Sequence, residues 1–476
     1  MIKRTHLALI ALLVLAAPAA HATWVVILTD AETGEVGIGQ ATCVSGLDLR
    51  AVSAVIVTGK GVATVQAFVD TSGVSRTTIR DELLAGTPPA QILNMLSTGD
   101  PDYEGHQYCI VDVDHGAATY TGTTAQTFNF AGGLTGQAGN IRYCVAGNVI
   151  TGQPVLDQAE LAIANTAGSL SDKLMAAMEA ARSMGGDGRC SCSPADPTGC
   201  GSPPASFTVS AINGYLVGAR AGDTSDCAFC SGGDYYMDLN VAFRPQGSPD
   251  PVTQLQTLYD NFVTGQQGLA DAVVSPVTLA PDSLLPDGSS TSQMDVQLLD
   301  IDGAPITASI SSFDVQQSAD SDAVTSIGTP VDNGGGSYST TLTAGVVAGV
   351  DLFLVTADDG VRPVILMPNP RLPVGVPGEV QNLRWSDHAT LEWDAATGAV
   401  SYHVYRGDLN LLGCSFLGDC RDDLDVDPTD LMLNDSSEPL PGAAFFYLLS
   451  GVDAAGTEGT LGLSDCGLRA ASSPCP

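Results

Sequence analysis

Residues 20–43 read AHATWVVILTDAETGEVGIGQATC, and this stretch decides the fold. Ala20-His21-Ala22 has the small–x–small form of a leader cleavage site. It is preceded by Lys3 and Arg4 and the apolar run LALIALLVLAA. That run is shorter than the roughly 20 residues a comfortable membrane span needs, and polar sequence follows it at once. Residues 1–22 therefore read as a signal peptide, and a cut after Ala22 makes Thr23 the first residue. A competing cut after Ala19 would leave Ala20, His21 and Ala22 ahead of it. Beyond the cut, TWVVILTD and VGIGQATC flank the turn AETGE, the pattern of a β-hairpin.

An amino-terminal threonine differs chemically from an internal one. A hydroxyl is a poor nucleophile near neutral pH and needs a base beside it. A terminal threonine carries its own in the α-amine, whose pKa of about 7.7–8.0 suits proton transfer near neutrality. The bland reading is that signal cleavage simply leaves a small hydroxylated residue first.

Composition narrows the function classes. The chain has 18 Lys and Arg against 53 Asp and Glu, a formal net charge of −35, and its only lysines are Lys3, Lys60 and Lys173. Such a chain repels nucleic acid, which is bound by neutralising phosphates, so no nucleic-acid partner is expected. No later stretch is long and apolar enough to span a membrane. Twelve cysteines in an exported chain read as disulfides. A C-x-C followed by a C-x-x-C, Cys190 to Cys230, has the spacing of a zinc site, but an oxidising compartment and the lack of nearby histidine favour bridges.

Three domains are expected. Residues 23–270 alternate strands and helices, with helices over TTIRDELLAG, PAQILNMLST after Pro88, QPVLDQAELAIANTA, SLSDKLMAAMEAARSM and PVTQLQTLYDNFV. A Cys-, Pro- and Gly-rich insertion, about 190–204, interrupts this unit. Residues 275–372 and 378–476 show short alternating runs and no helix, as two all-β sandwiches would. VDNGGGSYSTTLTAG resembles a hairpin common in the immunoglobulin-like modules of bacterial surface proteins. NLRWSDHATLEWDAATGAVSYHVYRG resembles the start of a fibronectin type III module, with Trp393, Tyr402, Val404 and Tyr405 facing inward.

The first unit carries ordered motifs: TWVVI, DAETGEVGIGQAT, VATVQAF, DELLAG, VDVDHGAATYTG, GNVITG and GGDGR. In their order and spacing they resemble the domain of unknown function 1028 family, over about residues 23–220. The resemblance implies an N-terminal-nucleophile (Ntn) hydrolase fold, two stacked sheets between helix layers, and so an α+β, four-layer αββα domain followed by two all-β sandwiches. It implies hydrolysis of an amide or peptide bond by Thr23, with Thr42, Gln66, Asn148, Asp187 and Arg189 in the recurring motifs. Asn148 would help hold the oxyanion, and Asp187 and Arg189 would fix the amine or a substrate carboxylate. Lys60 departs from the family pattern, either lowering the hydroxyl's pKa or standing solvated at a hairpin tip. The alternative is a non-catalytic secreted or cell-surface protein that keeps the fold as a scaffold for a surface or matrix partner.

Other chemistry is weakly represented. His106, His115, His388 and His403 lie in no nucleophile motif, and no organic cofactor is expected. In DCRDDLDVDPTD, residues Asp423, Asp425, Asp427 and Asp430 offer oxygens at near-alternate positions. A calcium loop is one reading and a solvated acidic loop the other.

Overall fold

The computed structural model describes residues 23–476 apart from 128, 224–227, 229–232, 287, 322–324, 347, 376, 410–417, 425–426, 441, 454–457, 465–466, 469–474 and 476. The leader with both candidate cuts, Cys227, Cys230, Cys414, Cys466 and Asp425 lie outside the described residues.

The opening stretch forms β1 (Thr23–Asp30) and β2 (Val36–Thr42), paired antiparallel with Ile27 opposite Ile38. After a short α1 (Leu49–Ser53) come β3 (Ala54–Val57) and β4 (Gly61–Ala67), then α2 (Val74–Leu84) and α3 (Pro89–Gly99). Next follow β5 (His106–Asp112), β6 (Ala117–Thr121), β7 (Phe130–Ala138) and β8 (Ile141–Ile150). The unit continues through α4 (Pro154–Asn165), α5 (Leu170–Ser183), α6 (Gly188–Ser191), β9 (Asn213–Ala219), β10 (Met237–Val241) and α7 (Pro251–Gln266). One sheet has the order β10-β9-β2-β1-β8-β7 and the other β3-β4-β5-β6, with all pairs antiparallel.

Why β1 is apolar on both faces follows from the layering. Trp24, Val26 and Leu28 pack with residues of α4, α5 and α7, while Val25 and Ile27 pack against Ile56, Val62 and Val111 of the second sheet. The outer face of that second sheet, Val55, Ala63, Val65 and Ile110, packs on Ile79 and Leu83 of α2 and Ile92 and Leu96 of α3. The order is helices, six strands, four strands, helices. A strand covered on both sides has no solvent face to make polar, which is why TWVVIL reads as a continuous run.

Local chemistry sets the helices. Ser169 caps α5: its hydroxyl accepts from the Asp172 N–H at 3.2 Å and the Asp172 carboxylate accepts from the Ser169 N–H at 2.8 Å. Residues Leu170, Leu174, Met178 and Ala181 then form the buried stripe. They lie directly on β2, where a Cβ at Gly37 would stand 2.6 Å from Leu170 and one at Gly39 2.8 Å from Met178. The glycines of VGIG thus serve close helix–sheet packing.

Residues 277–374 form a sandwich of two sheets. One joins β11 (Val277–Ala280), β12 (Thr291–Gln297), β14 (Thr325–Ile327), β15 (Val331–Gly334) and β16 (Ser337–Ala344). The other joins β13 (Ser312–Gln317), β17 (Gly349–Asp358), β18 (Pro363–Ile365) and β19 (Arg371–Val374). The expected hairpin is β15–β16. The last unit pairs β20 (Gln381–Trp385), β21 (Thr390–Asp394) and β24 (Met432–Asn434) in one sheet. Its other sheet holds β22 (Ser401–Asp408), β23 (Asp419–Cys420) and β25 (Phe445–Val452). Trp393, Tyr402 and Val404 enter its core, but Tyr405 does not. It packs on the opposite face with Leu461 and Cys475, because neighbouring strand residues alternate sides.

The first two units are locked together. Arg220, after β9, pairs with Glu35 and, at 2.8 Å, with Asp271, and its guanidinium lies 3.5 Å over the Tyr236 ring. All three charges are buried. Burial pushes the Glu35 carboxyl above its ordinary range despite Arg220. Arg362 of the sandwich donates to the Tyr235 carbonyl and to Asp223.

Among the described residues the disulfides are Cys43–Cys190, Cys109–Cys144 and Cys420–Cys475, which join distant segments, and Cys192–Cys200 within the insertion. Cys190 and Cys192 are therefore bridged and hold no zinc. Cys109–Cys144 ties the two sheets of the first unit across their shared core. Among the described residues, no helix is long and apolar enough to cross a membrane. The Cys109→Ala/Cys144→Ala double variant is expected to lose about 2–4 kcal/mol, read as a lower denaturant midpoint without reductant.

Candidate functional site

The layer between the sheets changes character at one end. Around Ile27 it is apolar; at the start of β1 it is almost wholly polar. Thr23 stands directly opposite Asn148 of β8, with Gln40 and Thr42 on β2 beside it. Gln66 and Gln107, paired across β4 and β5, contribute from the facing sheet. Directly opposed residues of an antiparallel pair share a face, so Thr23 and Asn148 both point into the layer that holds Val25 and Ala146. None of these six side chains belongs to a residue more than 4% exposed.

Such a group is tolerable only if its polar atoms satisfy one another. Gln40, Gln66, Gln107 and Asn148 do so in a directed chain. The Gln107 amino group donates to the Thr121 hydroxyl at 2.8 Å and to the carbonyls of Gly132 at 3.0 Å and Gly147 at 3.1 Å. Its neighbours include two carbonyls, which can only accept, so the amide orientation is determined. The Gln107 oxygen then accepts from Gln66 at 2.7 Å and from the Asn148 amino group at 3.2 Å. The Gln66 oxygen accepts from Gln40 at 2.7 Å, and the Gln40 oxygen from Ser53 at 2.6 Å and Tyr215 at 2.9 Å. One atom stands outside this closure: Asn148 Oδ1 is buried and has no hydrogen-bond partner.

Backbone strain gathers here. Ala67, next to Gln66, has φ 72° and Val149, next to Asn148, has φ 54°. A β-branched residue in the left-handed region is held there only by its surroundings.

Asp187 caps α6 beside this end. Its carboxylate accepts from the Cys43 N–H at 2.7 Å and from Arg189 Nη2 at 2.7 Å, and the Cys43–Cys190 bond closes the same loop. Asp187 is fully buried, and burial raises its carboxyl above the usual range against the pull of Arg189. Gly186 permits the approach, since a Cβ there would lie 2.5 Å from the Trp24 ring. The Gly185-Gly186 pair that follows α5 thus also seats the loop on β1.

The fold therefore gathers Thr23, Thr42, Gln66 and Asn148, with Asp187 and Arg189 against Cys43. Lys60 is not gathered. It is exposed at the tip of the β3–β4 hairpin, six residues before Gln66, about 20 Å away at the strand rise. In the acidic run, Asp427 accepts from Thr429 and Asp430 from the Met432 N–H, which are turn contacts; Asp425 and the side chain of Asp423 are outside the described residues. His403, Asp422 and Cys475 bring ligand-type atoms within 4.8 Å, but Cys475 is disulfide-bonded and supplies no thiolate. Gln40, Gln107, Ser53 and Tyr215 carry the network yet do not stand out in the sequence. For Gln40, Gln107 and Tyr215 the one signal is a polar residue at the inward parity of an otherwise apolar strand; Ser53, at the end of α1, carries none.

Residues 23–195 match the model of a family of unknown function, DUF1028, and residues 271–360 that of invasin domain 3. The chain thus has an amino-terminal DUF1028 domain followed by immunoglobulin-like β-sandwich modules. Among solved structures, it resembles a DUF1028 protein of Silicibacter pomeroyi at 17% identity and TM-score 0.37, covering 50% of this chain and 88% of that one. It also resembles the Yersinia pseudotuberculosis adhesin InvE at 15% identity and TM-score 0.17, covering 39% of this chain and only 56% of that one. Invasin, a bacterial integrin-binding protein, aligns at 11% identity and TM-score 0.20 over 92% of this chain and 70% of that one. No curated protein matches the chain.

Removing Arg189 as Arg189→Met leaves the Asp187 carboxylate buried without its counter-charge. The expected loss is about 3–5 kcal/mol at pH 7. Because the folded-state pKa of Asp187 is raised further, the loss shrinks as pH falls through that value and the group becomes neutral. Denaturant unfolding of both proteins at pH 7 and pH 4.5 measures the difference.

Proposed function

We propose that this chain is an exported protein of the cell surface or its surroundings, in which sandwich modules present the DUF1028 domain and bind a cell-surface or matrix partner. The observation that carries this reading is the invasin domain 3 match over residues 271–360, directly after the first unit. The buried Glu35–Arg220–Asp271 group and the Arg362 contacts support rigid presentation. The disulfides fit an oxidising compartment.

A second reading, N-terminal-nucleophile hydrolysis of an amide or peptide bond, is favoured by a different observation. Asn148 Oδ1 is a buried acceptor with no partner, directly across the ladder from Thr23. Leaving such an atom unpaired costs about 1–3 kcal/mol. Signal cleavage after Ala22 would create an α-amine at that place, and an amine has hydrogens to donate. Under this reading the amine takes the Thr23 hydroxyl proton while the oxygen attacks a carbonyl. The free atom of Asn148 is an acceptor, so it suits the amine better than it suits an oxyanion. Asp187 and Arg189 would act by holding the Cys43 backbone beside Thr42.

Mass spectrometry of the exported protein separates the possibilities at their root: both a start at Ala20 and a blocked amine contradict the nucleophile reading. For a chain starting at Thr23, wild type and Thr23→Ala are compared twice, for attachment to cultured cells or matrix and for covalent labelling by an electrophilic carbonyl probe. The binding reading expects equal attachment. The nucleophile reading expects labelling to vanish in Thr23→Ala, and unchanged labelling rejects it.

A further inference from the structure

Beside Thr23, between the end of β4 and α1, lies a cavity of about 20 Å3. That is room for a group of about one or two heavy atoms. Thr23, Thr42, Val65 and Ala67 lie buried at its base. Leu47, Val52, Phe68 and Val69 are half-buried at its rim, so it opens outward.

No charged side chain lines it; the Asp187–Arg189 pair is not part of the wall. Its polar atoms are already engaged. Thr42 Oγ1 accepts from the Val44 N–H at 3.3 Å, Ser53 donates to Gln40, and both ends of the Gln66 amide are bonded. A charged or strongly polar group entering this space would lose its hydration and gain no partner in return. A methyl or ethyl group would lose nothing and would lie against Leu47, Leu49 and Val52.

We propose that this cavity is the acyl-group subsite of Thr23, selective for a short, uncharged aliphatic acyl chain of acetyl or propionyl size. The inference rests on the nucleophile reading. In the step it serves, Thr23 Oγ bonds to the acyl carbon and its proton passes to the α-amine. The bond from that carbon to the leaving oxygen or nitrogen breaks, and the leaving group takes the proton. Water then hydrolyses the acyl–Thr23 ester to the short carboxylic acid.

The test uses the full processed chain with p-nitrophenyl esters of acetate, propionate, hexanoate and monoglutarate. It follows nitrophenolate release and the mass of the Thr23 peptide. Acetyl and propionyl transfer is expected to exceed hexanoyl and glutaryl transfer by about tenfold or more, the discrimination a small apolar pocket provides. Leu47→Ala and, independently, Val69→Ala shorten the rim and are expected to raise the hexanoyl rate relative to the acetyl rate. Equal rates along the series, a preference for glutaryl, or a hexanoyl ratio unmoved by both variants overturns the subsite while leaving an acylated Thr23. Absence of any adduct on Thr23 with every ester overturns the nucleophile reading and the subsite with it.

Discussion

The amino group of Gln107 faces the Thr121 hydroxyl and the carbonyls of Gly132 and Gly147, and the arrangement of the site follows from that contact. Two of its neighbours can only accept, so the amide cannot be turned over without placing oxygen against oxygen. Its orientation passes to Gln66, then to Gln40, and ends on the hydroxyls of Ser53 and Tyr215. A branch runs to Asn148 and leaves its carbonyl unpartnered across from Thr23. Fully closed polar networks inside a core hold side chains rigidly, and an open atom in one is costly. The end of β1 is thus the single place where this network is incomplete among the atoms described.

Two sheets are needed to make such a site. Either sheet alone would expose Gln40, Gln66 and Gln107 to water, and their amides would hydrate independently. Stacking the sheets buries them, and the Cys109–Cys144 bond joins the sheets within the apolar part of the same layer. The helices hold the outer faces, with α5 lying close on β2 because Gly37 and Gly39 carry no side chain. At the other edge of the unit, Arg220 carries the order into the first sandwich through Asp271.

Much of this architecture was legible in the sequence. The hairpin of residues 23–42, the Ser169 cap, Pro89 at the head of α3 and the β15–β16 hairpin rest on local signals, and local geometry honours them. Thr23 was legible because a cleavage-site pattern abuts a strand. What could not be read depends on contacts far apart in the chain. Gln40 and Gln107 look like ordinary solvent-facing residues until a second sheet covers them. Lys60 occupies a motif turn, but strand length carries it to the far end of β4. Tyr405 shares a sequence cluster with Tyr402 and Val404, yet strand parity sends it to the other face. The Cys43–Cys190 bond spans 147 residues, and no local spacing points to it.

Under the nucleophile reading, a cut after Ala22 places an α-amine on Thr23 at the polar end of this layer. The direct measurement is an NMR titration of that amine, 15N-labelled, in a chain beginning at Thr23. Burial disfavours the charged form of an amine, and Thr23 is only 1% exposed. The nucleophile reading predicts a pKa below the ordinary terminal value of about 7.7, falling further when Asn148→Ala removes an acceptor of the charged form. An amine titrating at its ordinary value, and indifferent to Asn148→Ala, would contradict it.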